Sequence, residues 1–529
     1  MPTTVAFLNL ILLLLSIVGA ISNPVEQAHA DYHSSKNGTK IIVLDLRQGS
    51  DDGRLDTPTL LAVQACAGLS NRNGSTTGAV YTVWDTIDLD WFHEIEHNKN
   101  PPFMPIHDFL VQCYQTVGRY IHYNYETQHA IIPNIITLAS VLDAIPLIQD
   151  DGPATTAATP AAYSHQMKLV FDAETKFAGF TPYDATSYMF QHYASKTTGM
   201  AKMDPGYDYS HKSPRVTKQP NLRLADYIVK QRLFNFFLLE GCIPMTQEHA
   251  LMEEMVHHHH PNTTQWLQPI AIYGYDDYTV PGIPGSIFEA ETTCVKEHNL
   301  GQVATAGVPN LSFLSRKPPI TTPVVQNRPS ASINENYNAS QTYVCFVLGD
   351  GDNVAFLRSR NYPWAQERLS KCHNNAASTT TEIHSNNNID KNCFPISWTI
   401  SPHSLYLIPD ILAWYYAQAQ KTGHDYFVLP PSGYLYAYPA MMSDDDQISF
   451  VSKTKAAARL LNTSGMVDWE LASTWKNAIN HYFPRFAAVD DHDTNNIIRG
   501  IFSVNVPFLS LIHISEPTRL RRISYAVFC

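Results

Sequence analysis

Short apolar runs alternate with amphipathic stretches along most of the chain, a pattern typical of α/β proteins. In the first part, Lys40–Leu46 and Val80–Trp84 are predicted to be strands, and Thr57–Leu69 between them is predicted to be a helix. Further along, Asn134–Ile148 indicates a helix that runs into a strand, and Leu222–Leu239 indicates a long amphipathic helix. The N-terminal half is therefore expected to contain several α/β segments.

The last third of the chain alternates more regularly. Five apolar runs are predicted to be strands: Tyr343–Leu348, Pro395–Ile400, Tyr426–Leu429, Met466–Trp469 and Ile497–Val506. Three amphipathic stretches between the later strands are predicted to be helices: Asp410–Lys421, Ile448–Leu461 and Thr474–Tyr482. This order implies a parallel sheet with helices outside, so we expect a C-terminal βα-barrel-like domain that five strands leave short of closure.

Composition shifts divide the chain into six predicted segments. The stretch Arg316–Ser340, rich in Pro, Asn and Ser, is the clearest boundary between them. The segments are a signal peptide (1–20), an N-terminal α/β domain (40–150), a helix-rich middle segment (160–250), a second α/β middle domain (265–320), a truncated C-terminal catalytic domain (341–508) and a non-native tail (509–529).

The two ends of the chain carry signals unrelated to the fold. Val5–Ala20 is an apolar run as long as the core of a signal peptide, with an uncleaved anchor as the alternative. At the other end, Leu509–Arg519 and Ile523–Cys529 resemble the translated constant parts of a sequencing-library adapter. We therefore expect natural sequence to stop near Phe508, and the tail to complete no strand of the C-terminal sheet.

Composition and sequons indicate a secreted globular protein. Of the 529 residues 44% are hydrophobic and 16% charged, which excludes a disordered chain, and the net charge of −12 argues against nucleic-acid binding. No membrane span is expected after signal cleavage, and the oligomeric state is left open. Six sequons fit a secreted glycoprotein: Asn37, Asn73, Asn262, Asn310, Asn338 and Asn462.

Seven cysteines remain when Cys529 is set aside, so one thiol is free or has lost its partner. Cys372 and Cys393 bracket a polar segment without hydrophobic periodicity, and we predict a disulfide between them. Closing a loop of about 20 residues stabilises a fold by about 3 kcal/mol in the chain-entropy model. Two free thiols are the alternative.

Acidic residues follow the predicted strands of the C-terminal domain, where parallel α/β folds place their active sites. Asp350 and Asp352 follow the first strand, and Asp468 and Glu470 end the fourth. Paired carboxyl groups act as general acid and base, so these four are the predicted catalytic residues. A backbone-capping turn is the alternative for the first pair. No cofactor or metal ligand is assigned, and a divalent cation at Asp350 and Asp352 stays an open alternative.

An aromatic segment, Pro430–Pro439, follows the third strand and carries tyrosines at alternate positions. Tyrosine rings stack on sugar faces while their hydroxyls form hydrogen bonds, so at least one ring is expected to face the site. An aromatic core cluster is the alternative. The predicted substrate contacts at the strand ends are Asn353, Trp398, His403, Ser432, Tyr434, Tyr436 and Tyr438.

Together these segments resemble the GxGYxYP family, which is described as a family of glycoside hydrolases. Its name motif aligns with Gly433–Pro439, with Leu435 in place of the middle glycine, and its DGDN stretch matches Asp350–Asn353. Gln64–Arg72 is similar to its N-terminal signature. The leucine puts the local backbone in question, because a glycine there can supply a positive φ. The resemblance spans about Lys40–Phe508 and implies a carbohydrate-active enzyme.

The sequence thus predicts a secreted glycoside hydrolase that acts on a glycan through paired carboxyl groups. Asp350→Asn and Asp352→Asn are each expected to keep the fold and to lower turnover at least about a hundredfold. Two alternatives stay open. One is a metal-dependent polysaccharide deacetylase with Asp350, Asp352 and His403 as ligands, and the other is a non-catalytic protein that binds glycans through its tyrosines.

Overall fold

The structure is a computed structural model that describes residues 40–47, 55–73, 78–97, 100–148, 167–206, 220–259, 270–274, 300–326, 346–376, 393–470, 473–487, 498, 500–504 and 524–525. The predicted signal peptide, the predicted loop Asp150–Ala162 and all of the tail except Ser524–Tyr525 lie outside these residues. Within the described ranges, no helix is both long enough and apolar enough to cross a membrane.

The predicted α/β opening is confirmed. β1 (Ile41–Asp45) and β2 (Ala79–Val83) pair in parallel, and the helix Thr57–Asn73 connects them. Asp56 begins this helix by accepting a hydrogen bond from the backbone N–H of Thr59 at 2.8 Å. The first sheet is thus a βαβ unit.

A three-stranded parallel sheet follows, with β3 at its centre. β3 (Arg119–Tyr123) pairs with β4 (Ile145–Ile148) on one side and β5 (Lys168–Asp172) on the other. The helical segments from β2 to the end of this part are Thr86–Glu96, Ile106–Val117, Tyr125–Gln128, His129–Ile131 (3₁₀), Ile132–Leu142, Ala173–Lys176, Pro182–Tyr193 and Ala194–Lys196 (3₁₀). The helix and strand predicted within Asn134–Ile148 are both present.

The next sheet has four parallel strands in the order β7-β6-β8-β9. They are β6 (Gly199–Lys202), β7 (Leu233–Phe236), β8 (Ile270–Tyr273) and β9 (Leu300–Val303). The sheet takes strands from two of the predicted segments, 160–250 and 265–320. Its helices are Ala225–Gln231, Gln247–His258 and Leu311–Leu314.

The helix predicted at Leu222–Leu239 is confirmed in its first half and wrong in its second. A 3₁₀ turn at Leu222–Leu224 leads into the short helix Ala225–Gln231, and Arg232 then takes a left-handed φ of 56° before β7 begins. All four residues of β7 are buried. A run that is apolar on every side has no periodicity that separates helix from strand, so pairing with β6 decides the outcome.

The C-terminal segment is a parallel sheet whose strands follow chain order: β10 (Val347–Leu348), β11 (Ile396–Thr399), β12 (Asp425–Val428), β13 (Gly465–Trp469) and β14 (Gly500–Val504). A parallel bridge between Leu429 and Met466 joins β12 to β13. Each of the five predicted strands is present. No ladder among the described residues joins β10 to β14. The fold is therefore mixed α/β with several parallel sheets, and the barrel stays a prediction.

Helices connect these strands as the sequence predicts. The helical segments of this part are Val354–Arg358, Asn361–Ala376, Ser404–Leu407, Pro409–Thr422, Pro439–Met441 (3₁₀), Asp444–Leu460, Trp475–Asn477, Ala478–Tyr482 (π) and Phe483–Ala487. The long helices at 409–422 and 444–460 lie within two residues of the predicted ends, apart from the earlier start of the second at Asp444. Ser443 caps that helix by accepting from the N–H of Asp446.

The expectation that the tail completes no strand is wrong. Ser524–Tyr525 forms β15, which pairs in parallel with Gly500–Ile501 of β14. Backbone groups on an edge strand pair with any extended segment that reaches them, whatever its side chains. The resemblance of the tail to an adapter sequence is not tested by this pairing.

Asn310 links the predicted segment 265–320 to the N-terminal segment 40–150. Its side chain is 2% exposed, accepts from the N–H and the hydroxyl of Thr82 at 2.7 and 2.8 Å, and donates to the Thr82 carbonyl at 2.6 Å. An amide enclosed in this way has no room for a glycan. The sequon at Asn310 is therefore not a glycosylation site in this fold.

Disulfides fasten two parts of the chain. The predicted bond between Cys372 and Cys393 is confirmed, with Cα atoms 5.6 Å apart. A second bond, Cys66–Cys113, joins the helices Thr57–Asn73 and Ile106–Val117. Cys242 is disulfide-bonded as well. Such bonds persist in oxidising compartments, which is compatible with secretion.

Candidate active site

Four strand ends of the C-terminal sheet carry the predicted site residues. The turn Gly349–Asn353 follows β10, Ser401–His403 follows β11, Pro430–Pro439 follows β12, and Glu470 follows β13. Because the strands are parallel, these segments share the carboxyl edge of the sheet, the edge at which open α/β folds bind ligands.

Gly351 holds the acidic turn against the end of β11. Its N–H donates to Oγ1 of Thr399 at 2.8 Å, and that hydroxyl donates to the Leu348 carbonyl at 2.8 Å. A Cβ atom on Gly351 would lie 1.8 Å from the carbonyl oxygen of Thr399, so only glycine fits. This contact fixes the positions of Asp350 and Asp352.

The two aspartates of the turn have different surroundings. Asp350 has a φ of 62° and a half-exposed side chain, whose Oδ2 forms an ion pair with Nη1 of Arg360 at 3.0 Å. Asp352 is more buried. Burial raises the pKa of Asp352 to about 7, and the negative charge of Asp350 adds to this rise. Asp352 therefore changes its charge near neutral pH, while Asp350 is neutralised by an arginine.

His403 lies after β11 among aromatic rings. Its Nδ1 is 2.5 Å from the hydroxyl of Tyr406, and its ring centroid is 5.0 Å from that of Tyr434. Nε2 makes no hydrogen bond of normal geometry within the described residues. Burial lowers the pKa of His403 to about 4, and the ammonium group of Lys453 acts in the same direction. A backbone hydrogen bond with Tyr434 opposes this fall, and the ring is neutral at pH 7.

A chain of buried hydroxyls leads away from this histidine. The hydroxyl of Tyr406 is 3.2 Å from that of Tyr273, whose ring lies 5.5 Å from the ring of Tyr227. Burial raises the pKa of all three tyrosines, so their hydroxyls stay protonated at neutral pH. Since Tyr273 ends β8, the four-stranded sheet contributes directly to this edge.

The segment Pro430–Pro439 forms a tight loop instead of an extended run. The peptide bond between Pro431 and Ser432 is cis. Gly433 has a φ of 108°, and a Cβ atom there would lie 2.7 Å from Cγ2 of Thr454. Both the backbone conformation and the packing therefore require the first glycine of the motif.

Leu435 replaces the middle glycine of the family motif without a left-handed backbone. Its side chain is buried over Gly301, where a Cβ atom would lie 2.6 Å from Cδ1 of Leu435. Beside it, Tyr436 and Gln302 exchange two backbone hydrogen bonds of 2.9 and 3.1 Å. The open question about the missing glycine is thus answered: β9 supplies a glycine that makes room for the leucine.

The three tyrosines of the motif do not share one open face. Tyr434 is partly exposed and packs on His403, whereas Tyr436 and Tyr438 are 9% and 1% exposed. The last two rings lie 6.2 Å apart, and Tyr436 also packs 6.3 Å from Trp469. Tyr434 is therefore the ring of this motif that is best placed to meet a ligand.

Asp468 and Glu470 form a carboxyl pair at the end of β13. Both side chains are 0% exposed, and a spacing of two residues places them on one face. Neither oxygen of Asp468 has a hydrogen-bond partner of normal geometry among the described residues, whereas Glu470 accepts from the Ala440 N–H at 2.7 Å and the Thr474 hydroxyl at 2.8 Å. The two carboxyl groups therefore differ sharply in their hydrogen bonding.

Their proton affinities differ as a result. Burial, followed by the charge of Glu470, raises the pKa of Asp468 well above its ordinary value, and the nearby Ser432 hydroxyl opposes this rise. Burial raises the pKa of Glu470 to about 7, against the effect of its two hydrogen bonds. Burial thus favours the protonated form of Asp468, next to Glu470, whose pKa lies near 7. Environments that push two pKa values apart can separate an acid from a base.

The predicted residues fall into groups that do not all meet. Ser432 lies with the carboxyl pair, since its hydroxyl accepts from the N–H of Trp469 at 2.9 Å. Asn353 caps the helix Val354–Arg358. Trp398 donates to Oδ1 of Asp425 at 2.7 Å and lies with residues of the outer helices, so the structure does not bring it to this edge.

Several residues of this edge were missed by the sequence reading. Tyr406 and Thr474 follow His403 and Glu470 at spacings of three and four, which helical periodicity could have indicated. Tyr273 belongs to another sheet, and no local pattern points to it. The ligand set of the deacetylase alternative is not assembled, because the described residues contain no cluster of three His, Cys, Asp or Glu side chains arranged to hold a metal ion.

Comparisons with known proteins agree with this architecture. A crystal structure described as a putative hydrolase from Bacteroides thetaiotaomicron VPI-5482 is similar, with a TM-score of 0.59 and 18% identity, over 88% of this chain and 75% of that chain. At this identity the likeness shows the fold. No curated protein matches the chain. Residues 340–488, which carry the four strand ends of the C-terminal sheet described above, match the sequence model of the GxGYxYP putative glycoside hydrolase C-terminal domain.

Proposed function

We propose that this protein is a secreted glycoside hydrolase and that Asp468 and Glu470 are its catalytic carboxyl groups. The observation that carries the proposal is Asp468, which is fully buried and whose oxygens make no hydrogen bond of normal geometry among the described residues. A buried carboxyl group without partners costs free energy, and strongly perturbed acids of this kind cluster at functional sites.

The roles follow from the two environments. Glycoside hydrolysis needs one protonated and one ionised carboxyl group. Asp468, with a pKa well above its ordinary value, donates its proton to the leaving glycosidic oxygen. Glu470, whose anion accepts two hydrogen bonds, either attacks the anomeric carbon or removes a proton from the attacking water. The bond between the anomeric carbon and the glycosidic oxygen breaks, and water supplies the new hydroxyl.

Substrate reaches the pair from the partly exposed side of the edge. Contacts from Ser432 and Ala440 cover the two carboxyl groups, so the proposal includes a shift of the loop Pro430–Pro439 when a glycan binds. Tyr434 stacks on a sugar ring, and Asp352 accepts from sugar hydroxyls. The chain-ordered parallel strands support a barrel-like catalytic domain, and the disulfides support secretion.

The test is a hydrolysis screen on polysaccharides and nitrophenyl glycosides. Once a cleaved substrate is found, Asp468→Asn and Glu470→Gln should each lower turnover at least about a hundredfold. The matched control is Glu254→Gln on the exposed face of the helix Gln247–His258, and circular dichroism reports folding. Near-normal rates in both variants would remove the pair from the mechanism. Glycan binding without cleavage of any substrate would favour the non-catalytic alternative.

A further inference from the structure

A second cleft opens at the carboxyl edge of the sheet β4-β3-β5, in a part of the chain that the C-terminal family match does not include. Its volume is about 570 Å³, within the range of about 300–1,000 Å³ that small-molecule sites occupy. Its polar lining comes from Asp56, His122, Tyr123, Asn124, Glu126 and Glu174. The cleft therefore has the size of a small-ligand site and the position at which parallel sheets bind ligands.

Negative charge is concentrated in this cleft. Asp56, Glu126 and Glu174 contribute carboxylates to its wall, and no lysine or arginine lines it within the described residues. Oε1 of Glu174 accepts a hydrogen bond from Nδ2 of Asn124 at 2.8 Å, which fixes its orientation. Clustered carboxylates raise the local concentration of cations and repel anions.

His122 orients Glu174 of the cleft and the neighbouring Asp172, which lies outside the lining. Its Nδ1 lies 3.2 Å from Oδ1 of Asp172, and its Nε2 lies 3.4 Å from Oε2 of Glu174. Because each ring nitrogen lies beside a carboxylate oxygen, protein groups occupy both edges of the imidazole that could contact a ligand. The histidine therefore holds the two carboxylates in fixed positions, as expected in a site that binds a ligand.

Tyr123 gives an independent indication of a ligand. It lines the cleft, its side chain is 0% exposed, and its hydroxyl has no hydrogen-bond partner among the described residues. The charges that act on this hydroxyl belong to Asp56 and Tyr125, which also line the cleft. Buried hydroxyls are nearly always paired, so an unpaired one beside a cavity indicates that its partner comes from a bound molecule.

We infer that this cleft binds a small polyhydroxylated molecule that carries an ammonium group, such as an amino sugar. The ammonium group donates to the carboxylates of Glu174 and Glu126, and a ligand hydroxyl pairs with the hydroxyl of Tyr123. Phosphorylated or carboxylated sugars are excluded by the charge of the wall. The inference goes beyond the proposed hydrolysis, because it concerns another sheet and requires no turnover.

The experiment is isothermal titration calorimetry of the full chain with D-glucosamine, and with glucose and N-acetylglucosamine as neutral comparisons. Glucosamine is expected to bind saturably and at least about tenfold more tightly than either neutral sugar, since each lacks the charge that the carboxylates select. Equal affinities for the three sugars, or no saturable binding of glucosamine, would overturn the inference.

Variants locate the binding. Glu174→Gln should weaken glucosamine binding at least about tenfold, and Tyr123→Phe should weaken it by a smaller factor without removing packing volume. The matched control Glu254→Gln should bind like the wild type. Loss of binding in Asp468→Asn with full binding in Glu174→Gln would place glucosamine in the C-terminal site and overturn the assignment. Failure of the hydrolysis screen leaves this result untouched, because binding is measured directly.

Discussion

The two carboxyl-rich regions of this protein lie at the carboxyl ends of strands in two parallel sheets, but they differ in their exposure to solvent. At the end of β13, Asp468 and Glu470 are 0% exposed. At the end of β5, the side chains of Asp172 and Glu174 are 39% and 42% exposed and share one histidine. Burial favours the protonated acid, whereas water and a histidine favour the carboxylate. Topology therefore fixes where a carboxyl group lies, and solvation decides whether it handles protons or holds a charge.

The largest expected effect comes from removing the buried acid. At pH 8, Asp468→Asn should lower turnover on a cleaved glycan by about 10³-fold, within the usual contribution of a general acid. The same change should raise the free energy of unfolding at this pH, because an amide needs no proton to remain neutral. The exposed change Glu174→Gln should move the free energy of unfolding by less than about 0.5 kcal/mol.

Turnover assays and urea titrations at pH 8 check both halves of this prediction. A variant of Asp468 that keeps its rate and loses stability would mean that the buried acid is part of the packing. The contrast between the two regions would then be structural only.

A hundredfold effect is expected within the acidic turn after β10. Asp352→Asn should lower turnover by about 100-fold, because the more buried carboxyl group titrates near pH 7 and is proposed to contact the sugar. Asp350→Asn should cost only about tenfold, less than the hundredfold loss expected from the sequence alone, since its charge is neutralised by Arg360 and solvent. Steady-state rates of the two variants on one substrate test this difference. Equal losses of turnover would contradict the role assigned to the burial of Asp352.

The pH dependence of the free energy of unfolding should also distinguish the buried carboxyl pair from the exposed carboxylates. Folding raises the pKa of Glu470 from an ordinary value of 4.5 to about 7, so its protonated form stabilises the native state. The free energy of unfolding that this group contributes is fully present below about 4.5 and is lost as the pH rises to about 7. Glu470→Gln should remove on the order of 2 kcal/mol of that decline between pH 5 and pH 8.

Urea unfolding of wild type and variant at both pH values measures this difference. Burial also raises the pKa of Asp88 and Asp226 to about 6. Their contributions to the free energy of unfolding fall with pH in both proteins and cancel in the comparison. If the variant shows the same change in the free energy of unfolding with pH as the wild type, Glu470 is not the group that couples stability to pH.

The smallest expected effect is one of ionic strength. Glucosamine binding to the open cleft should weaken by about threefold between 20 mM and 500 mM NaCl, because salt screens exposed charges. The Michaelis constant for a neutral glycan at the C-terminal edge should stay constant over the same range. Calorimetry and rate measurements in matched buffers test these two expectations. An affinity for glucosamine that does not depend on salt would contradict a charge-selective cleft.

Much of the fold could be predicted because local patterns determine it. The five C-terminal strands and the disulfide between Cys372 and Cys393 follow from apolar runs and from a polar loop that needs closure. The second half of Leu222–Leu239 was misassigned because an apolar stretch buried on every side loses its periodicity. Cys66–Cys113 could not be singled out, since seven cysteines allow many pairings.

The candidate site was predictable in position and not in detail. Strand-end residues such as Asp352 and Asp468 were found because parallel sheets expose their carboxyl edge. Their differing hydrogen bonds depend on packing from distant segments, which no spacing reveals. The N-terminal cleft was missed altogether, because His122 and Asp172 are fifty positions apart and meet only when β3 pairs with β5.

The bridge between Gln302 and Tyr436 has a practical consequence for anyone who expresses the protein in parts. The segment that sequence comparison recognises begins at residue 340, so a fragment cut there loses both backbone hydrogen bonds of the motif loop. It also loses Gly301, over which Leu435 packs, and the bond from Val354 to Ala304. The segment recognised by sequence comparison is thus smaller than the unit that can fold by itself. Truncated proteins should begin upstream of β8.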